Sequence, residues 1–328
     1  MSKMFKKVIS LCLVMLGLFM LVSCDKDEKK TITIIQYVSA NALDDARVGV
    51  IEALADAGFV DGENVEIIVQ NPQADSATLT MMAESAVRKS DLIVCIATPV
   101  AIAVKAECEL QGSNVPVLFT AVTDPVASGL VASNEVPGAN ITGTNDMNPV
   151  ADQVDLILEL APGIKKLGVL YNVAETNSQV QAEMVKAQAA LKNVEVVVKT
   201  VSEAIEISAA TTALIQTEKV EAIYIPTDNL MASNMPAIAA VSDELKVPTV
   251  CGEAGMVAAG GTITYSINYK SLGYLTGEMA AKILSGTPCS EVPSTSVDAS
   301  GLEVAINDTS IQNIGIEVPQ SIKDKLSK

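Results

Sequence analysis

Apolar and polar positions alternate along this chain in two rhythms. Short unbroken apolar runs mark strands buried on both faces of a sheet, and apolar residues recurring three and four apart mark helices packed on one side. Runs at 31–38, 64–70, 91–97 and 117–122 predict four strands. Helices are expected between them. One spans 41–57, with Leu43, Val50, Ile51 and Leu54 on one face and Gly58 as its stop. A second follows Asp75 as its cap and runs to 89, and a third opens at Thr98-Pro99. The stretch 127–141 is rich in Gly, Ser, Asn and Pro and has no period, so it reads as the passage out of a first lobe.

The rhythm then restarts. A helix at 150–160 follows Asn148-Pro149, and strands are predicted at 166–171, 194–198, 222–226, 248–251, 262–269 and 302–306. Between them helices are expected from Thr176, whose spacing to Gln179 suits a capping box, at 202–217, at 230–245 and at 271–284 with Ser271 as cap; a short one closes the chain at 320–326. Strands alternating with helices imply parallel sheets joined by right-handed crossovers. The fold class is therefore α/β, with two doubly wound parallel-sheet lobes. The expected division is 31–122 plus 268–300 for the first lobe and 142–267 plus 301–328 for the second.

The first residues read as an address rather than as fold. Lys3, Lys6 and Lys7 precede an apolar stretch, 8–22, too short for a confident membrane span. Leu21-Val22-Ser23-Cys24, followed at once by a charged segment, resembles a bacterial lipobox. That resemblance implies a signal peptide at 1–23, a lipid anchor on Cys24 and a tether at 24–30, and hence an extracytoplasmic protein held at the cell membrane.

Composition narrows the chemistry. The chain has 328 residues and is 49% hydrophobic, so a large core needs no disulfides, yet aromatics are 3% and Trp is absent, which leaves aliphatic side chains to fill it. A net charge of −17 excludes phosphate neutralisation along a nucleic acid. The absence of His excludes a Ser–His–Asp triad, a Cys–His pair and an HExxH zinc site, while catalysis by carboxylates or Lys stays open. No GxGxxG follows the first strand and there is no Walker motif, so no cofactor is expected. Cys95, Cys108, Cys251 and Cys289 are too widely spaced for a metal site; Cys95 sits in an apolar run and reads as a buried thiol, and four Cys allow three pairings.

Candidate chemistry gathers at the predicted strand ends, where open α/β sheets bind ligands. The apolar run 115–122 delivers Thr123-Asp124-Pro125 to such a position. The first block offers Ser39, Thr98, Thr123 and Asp124, and the second Tyr171, Asn172, Glu175, Asp228, Asn229 and Glu253. Helix N-termini and hydroxyls suit a carboxylate, the four acids suit an ammonium group, and Tyr171 can form a flat wall. Together they complement a zwitterion such as an amino acid. Asp124, Asp228 and Thr98 also have a structural explanation, as helix caps.

The order of these motifs resembles the substrate-binding lipoproteins of ABC transporters, the family that includes streptococcal aromatic amino acid binders. The residues that carry it are Thr98-Pro99, Pro116-Val117, Thr123-Asp124-Pro125-Val126, Asn140-Ile141-Thr142-Gly143, Gly168-Val169-Leu170-Tyr171-Asn172 with Glu175, Asn177 and Ser178, Pro226-Thr227-Asp228-Asn229, and Tyr269 with Leu272-Gly273. The resemblance implies a periplasmic-binding-protein type I fold, a hinge of several crossings, and solute contacts at Thr98, Thr123, Asp124, Tyr171, Asn172, Glu175, Asp228 and Asn229. It implies a monomer whose partners are a permease and its ATPase. Where that family commonly has a His-Pro pair after the first strand, this chain has Ser39-Ala40-Asn41. Two other readings of the same features are a sensor lipoprotein of this fold and a carboxylate-dependent hydrolase.

Overall fold

The computed structural model describes residues 29–138, 140–297 and 302–326. The signal peptide and the Cys24 anchor expected from the sequence lie outside the described residues, as do 298–301 at the expected junction between lobes.

The first lobe runs β1 (Lys30–Gln36), α1 (Asn41–Asp56), β2 (Val65–Gln70), α2 (Ser76–Lys89), β3 (Leu92–Ile96), α3 (Thr98–Gln111), β4 (Val117–Val122) and β5 (Ile141–Asn145). Its sheet has the order β2-β1-β3-β4-β5, and β1, β3, β4 and β5 pair in parallel. Every residue of β3 and β4 is buried, which is why both read as unbroken apolar runs. Residues 142–145, expected to open the second lobe, are instead part of β5 in this sheet. The reason lies in Gly143. A Cβ there would stand 2.0 Å from the Phe119 carbonyl oxygen, so only glycine lets this strand close on β4. Among the described residues, the aperiodic stretch before it forms no helix, which is why it looks like a linker in sequence.

The second lobe contains α4 (Val150–Leu160), β6 (Lys166–Asn172), α5 (Thr176–Leu191), β7 (Glu195–Val201), α6 (Ile207–Thr212), β8 (Ala222–Ile225), α7 (Asn229–Ser233), α8 (Met235–Glu244), β9 (Thr249–Cys251), α9 (Ala254–Ala258) and β10 (Ile263–Ser266). After α10 (Tyr269–Leu284) come β11 (Glu303–Ile306), α11 (Asp308–Ile314) and α12 (Gln320–Leu326). The sheet order is β11-β10-β9-β8-β6-β7; β11 runs antiparallel to β10, and the other pairs are parallel. The helix expected at 230–245 is two, α7 and α8, parted at Asn234 with Pro236 opening the second. The helices α9 and α11 are too short to leave a legible period.

Each sheet is covered on both faces. In the first lobe Ile34, Leu54, Leu118 and Leu272 pack on one side, and Val87, Val104 and Phe119 on the other. In the second, Val154, Val169 and Tyr224 face one way and Leu214, Ile223 and Ile238 the other. Although α10 follows a strand of the second lobe, it packs on α1 of the first. A Cβ at Gly273 would meet the Ala46 carbonyl oxygen at 1.9 Å, and one at Gly49 would meet the Lys270 carbonyl oxygen at 2.1 Å. The two helices therefore touch backbone to backbone. Its cap is Asn268, which accepts from the Ser271 amide, rather than Ser271 itself, and this puts Tyr269 in the first turn. The chain thus passes between lobes after β5, before α10 and before β11. Among the described residues no helix is long and apolar enough to cross a membrane.

Candidate functional site

Both sheets have the strand order whose switch point lies between the first strand and its two neighbours: β1 between β2 and β3, and β6 between β7 and β8. A crevice opens at the carboxyl ends of strands at such a point. Here the two crevices face each other across a cavity. The first lobe lines it with Ala40, Ala42, Leu43 and Ala121, and the crossing segments add Asp146 and Tyr269. The second lobe contributes Asn177, Thr227, Asp228, Asn229, Ala232, Glu253 and Met256.

Hydrogen bonds reach across the gap. The Thr123 hydroxyl lies 3.1 Å from that of Thr227, the Gln181 amide donates to Thr123 at 3.4 Å, and the Asn41 amide donates to the Gly255 carbonyl at 3.3 Å. Ala97 (φ 90) and Ala121 (φ 54) hold left-handed conformations just where β3 ends and within β4. Backbone strain of this sort clusters at ligand clamps.

Four acids stand around the cavity, and none is more than 4% exposed: Asp146, Glu175, Asp228 and Glu253. None of the described residues lining it is Lys or Arg. Asp228 caps α7 by accepting from the Met231 amide at 2.9 Å, and also accepts from the Asn172 amide at 2.8 Å and the Ser178 hydroxyl at 2.7 Å. It therefore staples β6 to β8 across the switch point. Glu175 accepts from the Asn229 amide at 3.0 Å, the Asn229 side chain at 2.6 Å and the Leu230 amide at 3.2 Å. Glu253 caps α9 through the Gly255 and Met256 amides.

Burial shifts all four acids upward. Glu175 is pushed up to about 8 by burial and then by the neighbouring Asp228 charge, against the pull of the Asn229 and Leu230 donors. Glu253 rises to about 7, again by burial first. Burial also raises Asp228, against the Met231, Ser178 and Asn172 donors. Asp146 goes up by burial, partly offset by the hydroxyls of Tyr269 and Thr123. Tyr37, just after β1, is raised by burial and then by the charges of Glu175 and Asp228.

The opposite wall differs. The helix α1 starts at Ala40 with no side chain capping it, and Ala40, Ala42 and Leu43 all line the cavity. Its first amides and its positive dipole end therefore face the space that the acids surround.

The residues expected from sequence divide into groups. Asp228, Asn229 and Glu253 line the cavity. Ser39 lines an adjoining pocket that shares Glu253, and Thr123 bonds to the lining residue Thr227. Glu175 and Asn172 stand one layer behind, holding Asn229 and Asp228. Thr98 is buried in the first turn of α3, Asp124 caps a turn through the Val126 and Ala127 amides, and Tyr171 packs against the second lobe's core; none of these three lines the cavity. Sequence reasoning did not single out Asp146, Asn177, Thr227 and Tyr269, which line the cavity, although the last three stand inside or beside the motifs quoted above. Asp146 directly follows a strand that was not expected, so the rule that found the others passed over it. Cys95, Cys108, Cys251 and Cys289 are free and buried, and among the described residues no group of acids and cysteines is placed to hold a metal ion.

Comparison with known proteins agrees with this geometry. The chain is 36% identical over 329 residues to the Tyrosine-binding protein of Clostridioides difficile (strain R20291), covering 95% of this chain and 93% of that one. Its structure matches that of the ABC domain in complex with L-Trp from Streptococcus pneumonia at a TM-score of 0.85 and 32% identity, covering 91% and 98% of the two chains. It matches the ligand-free, open structure of a substrate binding protein with adhesive properties from Clostridium difficile at a TM-score of 0.67 and 39% identity, covering 88% and 96%. The architecture is the periplasmic-binding-protein type I fold. These are solute-binding proteins and not enzymes, so the hydrolase reading falls. Residues 31–327 match the family described as ABC transporter substrate binding protein, and the chain belongs to that family.

Proposed function

We propose that this chain is the extracytoplasmic solute-binding lipoprotein of an ABC importer, which encloses one amino acid, an aromatic one first, and hands it unaltered to a permease driven by an ATPase. The observation that carries this reading is the polarity of the cavity. One wall is acidic and has no basic residue; the other is the uncapped N-terminus of α1. An ammonium group and a carboxylate on one small molecule satisfy both walls, which a neutral sugar does not. Leu43, Met256, Ala121 and Ala232 give the space between them an apolar lining for a side chain. The relatives that bind tyrosine and L-Trp support an aromatic solute.

The described arrangement is the closed one in this reading. Hydrogen bonds join the lobes, and the fit is better to the L-Trp complex than to the open structure, although identity is higher to the latter. Closure follows the solute because the solute touches both lobes only when they meet. Signal peptide 1–23 directs export, and lipid on Cys24 with the tether 24–30 keeps the monomer near its permease, raising its effective concentration. A thermal-shift screen of the common amino acids against sugars and polyols tests the solute class. Stabilisation by aromatic amino acids is expected; stabilisation by sugars alone would overturn the reading. Loss of amino-acid uptake on deletion of the gene tests transport, and unchanged uptake with altered signalling would make the protein a sensor.

A further inference from the structure

Two buried acceptors of cavity-lining residues have no hydrogen-bond partner among the described residues: Asp146 Oδ1 and Asn177 Oδ1. Each residue is 3% exposed, and each lines the cavity. They come from opposite sides of it. The Asp146 amide donates to the Val122 carbonyl at 3.1 Å, which ties Asp146 to β4 of the first lobe. Asn177 rides on α5 of the second.

Resting on the amino-acid reading above, we propose that Asp146 and Asn177 form a two-lobe clamp for the solute's primary ammonium group, and that leaving this clamp unfilled holds the empty protein open. Their orientations are fixed by their other bonds. The Asn177 Nδ2 donates to the Thr227 carbonyl at 2.8 Å, and a carbonyl can only accept, so the end of the amide left without a partner is its oxygen. Asp146 Oδ2 accepts from the Tyr269 hydroxyl at 2.6 Å, which leaves Oδ1 for the cavity. The nearby Thr123 hydroxyl favours the Asp146 charge but makes no hydrogen bond to Oδ1, and it lies 3.1 Å from the Thr227 hydroxyl. The other three acids already accept from backbone and side-chain donors on both carboxylate oxygens.

A primary ammonium supplies what both atoms lack: several N–H donors on one atom, and a positive charge for the carboxylate. Closing without it buries two acceptors unmade, one of them on a carboxylate, and that penalty falls on the closed state alone. Water can donate to both atoms but brings no charge. Asp146 is also part of the hinge. Tyr269 receives the Asn148 amide at 3.3 Å, and Asn148 Oδ1 accepts from the Ile267 amide at 2.9 Å. One carboxylate therefore meets the solute with one oxygen and the second crossing segment with the other.

The test uses the full chain with L-tyrosine and L-tryptophan as probes and needs no variant at first. Titration calorimetry should show N,N,N-trimethyl-L-tyrosine, which keeps the charge but has no N–H, binding at least about 100-fold more weakly than L-tyrosine. Binding within a few-fold would overturn the clamp. Asp146→Asn should weaken the better probe about 10- to 100-fold, and Asn177→Ala should weaken it several-fold. In small-angle scattering, the empty Asp146→Asn/Asn177→Ala protein should shrink toward the solute-saturated wild type; a double variant as expanded as the empty wild type would sink the gating half. Tight L-tyrosine binding that ignores Asp146→Asn overturns this proposal and spares the amino-acid reading. If neither probe nor any other common amino acid binds the wild type, both fall together.

Discussion

In the Asp146→Asn/Asn177→Ala protein, expected to stay closed when empty, raising the pH from about 5.5 to about 8.5 should remove protons from the remaining buried carboxyls of the cleft. The chain has no His. Its four described cysteines are raised by burial. An unfolded glutamate titrates near about 4.3, whereas Glu253 titrates at about 7 and Glu175 at about 8 in the folded chain. A carboxyl raised in this way holds its proton in the folded state after the unfolded state has lost it. Its contribution to stability is complete below the unfolded value and is lost as pH climbs through the folded one. Over the stated window this amounts to about 2 kcal/mol from Glu253 and about 3 kcal/mol from Glu175, the latter titrating as a pair with Asp228. At about 2 °C per kcal/mol for a chain of this size, the melting temperature should fall by roughly 5–10 °C. Calorimetric melting in buffers matched for ionic strength checks this. The Glu253→Gln variant should show a shallower fall. A melting temperature that stays level or rises across the window would show that the cleft acids are solvated, and the burial argument would fail with it.

Three further outcomes follow from the same structure. An ammonium-bearing solute favours ionised acids, so binding L-tyrosine near neutral pH should release protons and tighten as pH rises to about 8; calorimetry in buffers of different ionisation enthalpy reads this directly. Gly273→Ala pushes a methyl into the Ala46 carbonyl and should cost about 1–3 kcal/mol, seen as a lower urea midpoint. Ala97, at φ 90 and ψ 151, occupies a region that only glycine holds comfortably, so Ala97→Gly should raise the melting temperature, the relief being about 1–2 kcal/mol before the loss of one buried methyl.

Much of the fold could be read from the chain because burial on both faces leaves unbroken apolar runs, and nothing else of that length does. The strands β3, β4 and β8 are such runs, and the helix start marked by proline at 99 matches an observed helix. Fine capping was read less well. Asp75 caps α2 as expected, but Thr176 does not cap α5, which begins after Glu175, and Asn268 displaces Ser271. Those residues compete with neighbours for the same amides, and the winner depends on the direction from which the chain arrives. The strand β5 was missed because Ile-Thr-Gly-Thr-Asn is short, polar and interrupted by glycine. Its identity as a strand depends on the groove beside Phe119, a tertiary fact.

The site shows a sharper limit. Collecting polar residues at strand ends pointed to several residues that line this cavity, because topology alone puts those ends together. It could not tell a carboxylate that caps a helix from one that awaits a solute, since both want a carboxylate at the same place. The difference is the number of lone pairs left over. Asp228 and Glu253 have their acceptors taken by amides of their own helices, Glu175 by Asn229 and Leu230, whereas Asp146 keeps one oxygen without a partner in the protein. The satisfied acids still matter to a solute, because their charge acts across the cavity without a direct bond, and their burial makes that action strong. Recognition is then divided: a buried negative field that favours any cation, and two open acceptors that demand a cation with hydrogens to give. Asp228→Asn should therefore weaken L-tyrosine and its trimethyl analogue by a similar factor, while Asp146→Asn should weaken L-tyrosine more and narrow the gap between the two. Equal narrowing by both substitutions would show that field and hydrogen bond cannot be separated at this site.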